Sequence, residues 1–243
     1  MLLFFYVIDL LQRHGIEFYV KGGILLQYQL GEHARPTYDI DLLVPGDADE
    51  FYEKANAVLS SQEGPLTFEI KLYRKTLASA SYYHNTFSMD LFVYLKRKRI
   101  DVYTFEGIYG DAYLFVNPVT YKGPDIIREG FTYLGVPIEC ILAEKILAIT
   151  SELPRPYKHL VDVYSLISTN INVATVKQYL DYILGKAETM RNSLGLSKSD
   201  YVYQITDSKQ FTDSYFFETL QAGYTLGELE MRAKVNAWLK ANI

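Results

Sequence analysis

Apolar and polar positions alternate between helical and strand spacing through the first half of the chain. Residues 2–14 are apolar except for Asp9, Gln12 and Arg13 and the closing His14, and Gly15 follows, which predicts an amphipathic helix packed on a core. Residues 16–20 read as a strand that runs into Gly22-Gly23 and a helix over 24–30, ended by Gly31. Residues 38–44 form a second strand, Pro45-Gly46 a turn, and Asp47 or Asp49 caps a helix reaching about Ser61. Strand spacing returns over 67–72, 77–83 and 86–95. The basic turn Lys96-Arg97-Lys98-Arg99 leads to a strand over 100–105, and 113–116 and 131–134 suggest short strands.

After Pro137 the period changes. Ile141, Leu142, Lys145, Ile146 and Ile149 recur at helical spacing over 138–150, and Pro154 and Pro156 break the pattern. Further helices are expected over 158–168, 174–193 and 225–241. The expected fold is α+β: a mixed sheet with flanking helices over residues 1–135, then a helical bundle over 136–243.

Composition sharpens this only slightly. A chain of 243 residues, 49% hydrophobic and 22% charged, has ample material for a core. The net charge of −5 argues against bulk binding of polyanions, leaving only local basic patches. The 22 tyrosines read mainly as strand and packing residues. The apolar N-terminus has no basic stretch before it and no small-residue cleavage site after it, and it is too short to span a bilayer. No membrane association is expected, and the single cysteine, Cys140, within an apolar run, fits a core position in a reducing cytoplasm. The four histidines show no metal-ligand spacing.

The chemistry concentrates at two points. Asp39 and Asp41 stand two apart in an apolar strand, so both carboxylates face one side. Like charges that close repel unless a cation lies between them, and a hard divalent ion such as Mg²⁺ suits oxygen ligands. Asp90, inside the apolar strand 86–95, is a third carboxylate able to complete a two-ion site with Asp39 and Asp41. Gly22-Gly23 before a helix lets backbone N–H groups approach phosphate oxygens. A glycine pair, a helix, a strand with two aspartates and a later aspartate suit phosphoryl or nucleotidyl transfer from an NTP.

Lys21-Gly22-Gly23 and Arg35-Pro36-Thr37-Tyr38-Asp39-Ile40-Asp41-Leu42 resemble the opening motif of the AbiEii/AbiGii-type nucleotidyltransferase toxins. These are akin to the MenT toxins and belong to the polymerase-β-like superfamily. Glu139-Cys140-Ile141-Leu142-Ala143-Glu144-Lys145 resembles the family's lysine-bearing helix, and Arg155, Lys158 and Asp162-Val163-Tyr164-Ser165-Leu166 its following segment. The resemblance implies that Asp39 and Asp41 hold metal, that Lys145 contacts nucleotide phosphates and that Asp162 is the family's late acidic residue. It implies that Arg35 and Thr37 support the carboxylate strand or the phosphates. It also implies a tRNA 3′ end or other RNA as acceptor, growth arrest as outcome, and a cognate antitoxin as partner. Ile24 stands where many superfamily members place Ser or Thr, and His159 where family members often carry an acid.

Other readings of the same residues remain open at this level. Asp39 and Asp41 could pair with Arg35 and Lys21, Asp90 could be an edge-strand charge, and Lys145 a solvated helix residue. Asp162 could pair with Arg155 or Lys158. The turn 96–99 is either a solvated hairpin or an RNA contact. The acceptor could instead be a small molecule or a protein, or the chain a non-catalytic nucleotide-binding relic or a partner-binding module.

Overall fold

The computed structural model describes residues 2–35, 37, 39–62, 65–77, 85–110, 117–151, 155–190, 202–207, 209–212 and 227–243. The chain divides into two compact units, one of Met1–Leu25 and Tyr38–Pro137, the other of Leu26–Thr37 and Ile138–Ile243. A single cut after residue 135 leaves Leu26–Thr37 with the first unit; the structure groups that segment with the second.

The first unit holds α1 (Leu2–Arg13), β1 (Tyr19–Lys21), the start of α2 (Gly22–Leu30), β2 (Asp39–Val44) and α3 (Ala48–Ser60). It continues with β3 (Leu66–Thr76), β4 (Asn85–Leu95), β5 (Lys98–Tyr109), β6 (Val119–Lys122) and β7 (Thr132–Gly135). These strands form one mixed seven-stranded sheet in the order β3-β4-β5-β2-β1-β7-β6. β2 runs antiparallel to β1 and parallel to β5. The core lies on one face. Ile40, Leu42, Phe87, Met89, Leu91 and Phe105 are buried there, and Phe51 of α3 meets Phe87 at 5.5 Å between ring centres. The apolar N-terminus forms the expected packing helix, with Phe4, Phe5, Val7, Ile8, Leu10 and Leu11 buried and Phe5 against Tyr133. No helix among the described residues is long and apolar enough to cross a membrane.

Local chemistry sets most element ends. Asp47 caps α3 by accepting from the backbone N–H groups of Asp49 and Glu50 at 2.8 and 3.3 Å. The basic turn is a two-residue hairpin with Lys96 and Arg97 at φ of 48° and 67°. β5 runs past the expected residue 105 because Glu106–Tyr109 pair with both β2 and β4. Gly107, which interrupts the apolar pattern, is required inside the strand: a Cβ there would meet the Phe87 ring at 2.3 Å. β3 extends to Thr76 through an irregularity at Leu72, whose φ is 54°. Most of the strand expected over 77–83, and all of that over 113–116, lie outside the described residues.

The second unit contains α4 (Ile138–Thr150), β8 (Arg155–Pro156), α5 (Lys158–Ile167), α6 (Val173–Met190), β9 (Phe211–Thr212) and α7 (Glu228–Asn242). α4 starts directly after Pro137 and carries Glu139 in its first turn, where the helix dipole favours an anion. Leu142, Ile146, Leu160, Val163, Leu180 and Val235 make its core, with Cys140 buried beside them in the sequence pattern as expected. Lys209 is buried and donates to the carbonyls of Ala148 and Ser151 at 3.0 and 2.6 Å, which satisfies the end of α4.

Candidate active site

The face of the sheet opposite the core carries the carboxylates. β2 alternates exposed Asp39, buried Ile40 and half-buried Asp41. In register, Asp41 lies between Lys21 of β1 and Glu106 of β5, and Glu106 faces Ser88 of β4. Asp39 neighbours Thr104, and Thr104 neighbours Asp90. Cross-strand partners share a face. Asp39, Asp41 and Glu106 therefore stand on adjacent strands of one surface, while Asp90 is one strand farther out. The Thr104 hydroxyl donates to Asp90 Oδ1 at 3.0 Å. β4 is an interior strand, so Asp90 is not an edge-strand charge.

Gly22 explains itself through Asp41. Its φ is +67°, and a Cβ added there would lie 1.7 Å from Asp41 Oδ2 and 2.5 Å from Cγ. The carboxylate is seated on the bare Cα of the first residue of α2, where any added side chain would collide with it. Gly23 is buried in the first turn, and Ile24 is directed into the core at 4% exposure. Beside Asp41 opens a cleft of about 400 Å³ lined by Lys21, Arg74, Thr86, Ser88 and Glu106 among others.

Sequence alone does not readily mark Glu106, because Gly107 breaks the apolar strand pattern directly after it. The signal was nonetheless present: Thr104, Glu106 and Ile108 alternate with Phe105, Gly107 and Tyr109.

A divalent ion fits the donors at Asp39 and Asp41 by chemistry. They offer hard carboxylate oxygens with no competing soft ligand, and Asp41 is held in one place by Gly22. Among the described residues no three His, Cys, Asp or Glu side chains come together as a metal-binding group, so the structure does not gather Asp39, Asp41 and Asp90 into one. A magnesium ion bound by one or two carboxylates takes its other ligands from water and substrate phosphates, so two aspartates are a sufficient protein donor set for it.

The second unit holds a separate buried cluster. Lys145 of α4 is 8% exposed and its Nζ donates to Asp162 Oδ2 of α5 at 2.6 Å. Arg35 grips the same carboxylate, with Nη2 donating to Oδ2 and Nε opposite Oδ1, both at 3.1 Å. Burial pushes the Asp162 carboxyl up, but the charges and hydrogen bonds of Lys145 and Arg35 outweigh it and hold the group below its ordinary range. Lys145 is thus not a solvated helix residue, and Asp162 pairs with Arg35 and Lys145. The side chain of Arg155 lies outside the described residues. Thr37 is half-buried, and its backbone N–H donates to Gln27 Oε1 at 3.3 Å. His159 is pushed down to about 3, by burial first and by the Lys145 charge second. It is therefore neutral near pH 7, with Nδ1 buried and without a hydrogen-bond partner among the described residues.

Comparison with known proteins bears on the fold and the family. A search of curated proteins found no match. The fold resembles MenT4, a nucleotidyltransferase toxin from Mycobacterium tuberculosis H37Rv, with a TM-score of 0.66 at 16% identity, over 98% of this chain and 82% of that one. A proposed nucleotidyltransferase from H. pylori gives a TM-score of 0.49 at 14% identity over 99% of this chain and 94% of that one, too distant to carry an argument. The family model for the nucleotidyl transferase AbiEii toxin of type IV toxin–antitoxin systems matches residues 9–233. Spanning both units, that match shows that the chain belongs to the AbiEii family of nucleotidyltransferase toxins.

Proposed function

We propose that this toxin transfers a nucleoside monophosphate from an NTP to an acceptor hydroxyl, with an RNA 3′ end as the acceptor, in the cytoplasm and in the presence of Mg²⁺. The observation that carries the reading is the seating of the Asp41 carboxylate on Gly22, beside Asp39 and a cleft that contains Lys21 and Arg74. The acceptor oxygen forms a bond to the α-phosphorus, the bridge to the β-phosphate breaks, and pyrophosphate leaves with the electron pair. The hydroxyl proton passes to water or a neighbouring carboxylate.

Asp39 and Asp41 are the metal ligands in this reading, and Asp90 supports them through the Thr104 row rather than by direct adjacency. When bound, Mg²⁺ offsets charge on the phosphates and lowers the pKa of the attacking hydroxyl. Lys21 and Arg74 line the cleft as cations for phosphate oxygens. Within the second unit Lys145, held by Asp162, is the lysine to which the family resemblance gives a phosphate contact, and Arg35 fixes Asp162. Catalysis of this kind is positioning plus electrostatic stabilisation. The family assignment also supports a cognate antitoxin as the biological partner.

The test is label transfer from each of the four α-labelled NTPs, with Mg²⁺, into fractionated RNA, protein and small molecules. Wild type labels RNA, and Asp41→Asn lowers the rate by on the order of 100-fold or more. Label in protein or small molecules redirects the acceptor. Metal-dependent NTP binding without any transfer by wild type overturns catalysis in favour of a binding relic.

A further inference from the structure

We infer that the outer face of the β3–β4–β5 arm, ending in the Lys96-Arg97-Lys98-Arg99 hairpin, is a docking surface for single-stranded RNA. The inference rests on the proposed function only for the chemistry at its far end; the surface itself is argued from charge and register.

The chain carries a net charge of −5, yet four consecutive cations stand at one hairpin end, Lys96 and Arg97 in its two-residue turn and Lys98 and Arg99 at the start of β5. All four are exposed, and none forms an ion pair with a described residue. The nearby acidic side chains Glu69 of β3 and Asp101 of β5 are already engaged. Glu69 accepts from Lys71 at 2.9 Å and from the Tyr94 hydroxyl at 3.0 Å. Asp101 accepts from its neighbour's backbone N–H at 2.9 Å and from Tyr103. The hairpin's cations are therefore available to an external anion.

The same surface leads to the carboxylates. The Asp39 row runs through Thr104 to Asp90, and two positions along the strands Phe92 and Val102 continue that face. The Phe92 ring lies under Lys71 Nζ at 5.1 Å and under the Arg99 guanidinium at 5.8 Å, which places Arg99 on this face. From Thr104 to Arg99 is five strand residues, or roughly 17 Å at the usual rise per residue. Val102 and Ile100 are exposed along this stretch at 39 and 49%.

A surface that is cationic at its tip, partly apolar along its length and open at a carboxylate pair suits a flexible polyanion with apolar faces. Single-stranded RNA has both properties. An anionic membrane or an acidic protein would match the charge alone.

The turn provides a variant that does not threaten the fold. Lys96 and Arg97 occupy positive-φ positions where Asn-Gly is the preferred pair, so Lys96→Asn with Arg97→Gly removes two charges while favouring the hairpin. Binding of a fluorescent single-stranded RNA oligonucleotide to the full-length protein is measured by anisotropy from 50 to 300 mM salt. Each phosphate contact contributes about 0.7 to the salt slope for single strands, so the double variant flattens it by about 1.4. Extrapolated from 1 M, this is a loss of about 25-fold at 0.1 M salt.

An unchanged slope and affinity in the double variant overturns the inference. So does hairpin-dependent retention on vesicles of anionic phospholipid with no hairpin-dependent RNA binding. Hairpin-dependent RNA binding by a protein that transfers no label supports the surface and refutes the proposed reaction. Label transfer to RNA with hairpin-independent binding does the reverse.

Discussion

Gly22→Ala isolates the feature on which the carboxylate site depends. The substitution acts through two separable effects. First, an L-residue at φ +67° is in the left-handed region, which costs about 1–2 kcal/mol. Second, the new Cβ would fall 1.7 Å from Asp41 Oδ2, 2.5 Å from its Cγ and 2.7 Å from its Cβ. Rotating the carboxylate relieves only the first two of these contacts. The third involves the root of the side chain, so β2 or the start of α2 must shift as well, at about 1–3 kcal/mol for overpacking of this kind. The expected total is about 2–5 kcal/mol, read by urea denaturation at pH 7. In an Asp41→Gly background the steric part disappears and Gly22→Ala costs only about 1–2 kcal/mol, so the cycle gives a coupling of about 1–3 kcal/mol. Label transfer by Gly22→Ala falls as far as in Asp41→Asn, because the same carboxylate leaves its seat. Equal costs in the two backgrounds, or a Gly22→Ala protein that retains transfer, would refute the claim that Gly22 exists to seat Asp41.

Asp162→Asn leaves Arg35 and Lys145 buried against a neutral group, and stability measured by denaturation falls by about 3–5 kcal/mol. Because the folded-state pKa of Asp162 is depressed, its contribution is full above the unfolded value near 3.9 and is lost as pH falls through the folded value. The wild-type advantage is therefore flat from pH 7 to 5 and shrinks below about pH 4. His159 has the same sign in a higher pH window: its folded pKa of about 3 lies below the ordinary 6.5, so the unfolded chain gains a proton first. Wild type loses stability as pH drops from 6.5 towards 3, and His159→Gln flattens that decline in a pH series of urea midpoints. Lys209→Met removes the donor to the carbonyls of Ala148 and Ser151, and the thermal midpoint falls by an amount equivalent to about 1–2 kcal/mol.

What the sequence revealed, and what it hid, follows from how far apart the cooperating residues are. The bounds of α4 were readable because Pro137 stops the preceding strand and the apolar period begins at the next residue. The cap of α3 was readable because Asp47 acts on residues two and three positions away. The ion cluster was not. Arg35 and Asp162 are separated by 127 residues, and no local pattern marks Lys145 as buried rather than solvated. The same long-range contact accompanies the grouping of Leu26–Thr37 with the helical unit, a division that no composition change announces.

The glycine pair shows a subtler limit. Local reasoning assigns Gly22-Gly23 to phosphate approach, since glycine exposes backbone N–H groups at a helix start. The structure adds a second requirement at Gly22, because Asp41 occupies the volume where a side chain would stand. The two requirements predict different responses to substitution. If phosphate approach alone mattered, Gly22→Ala would weaken NTP binding and leave stability dependent only on φ. Since Asp41 also claims the site, the same change must cost stability in proportion to the carboxylate it displaces. The glycine and the aspartate 19 positions later thus act as one unit, and the separation of the double-mutant cycle, not conservation of either residue alone, measures that unit.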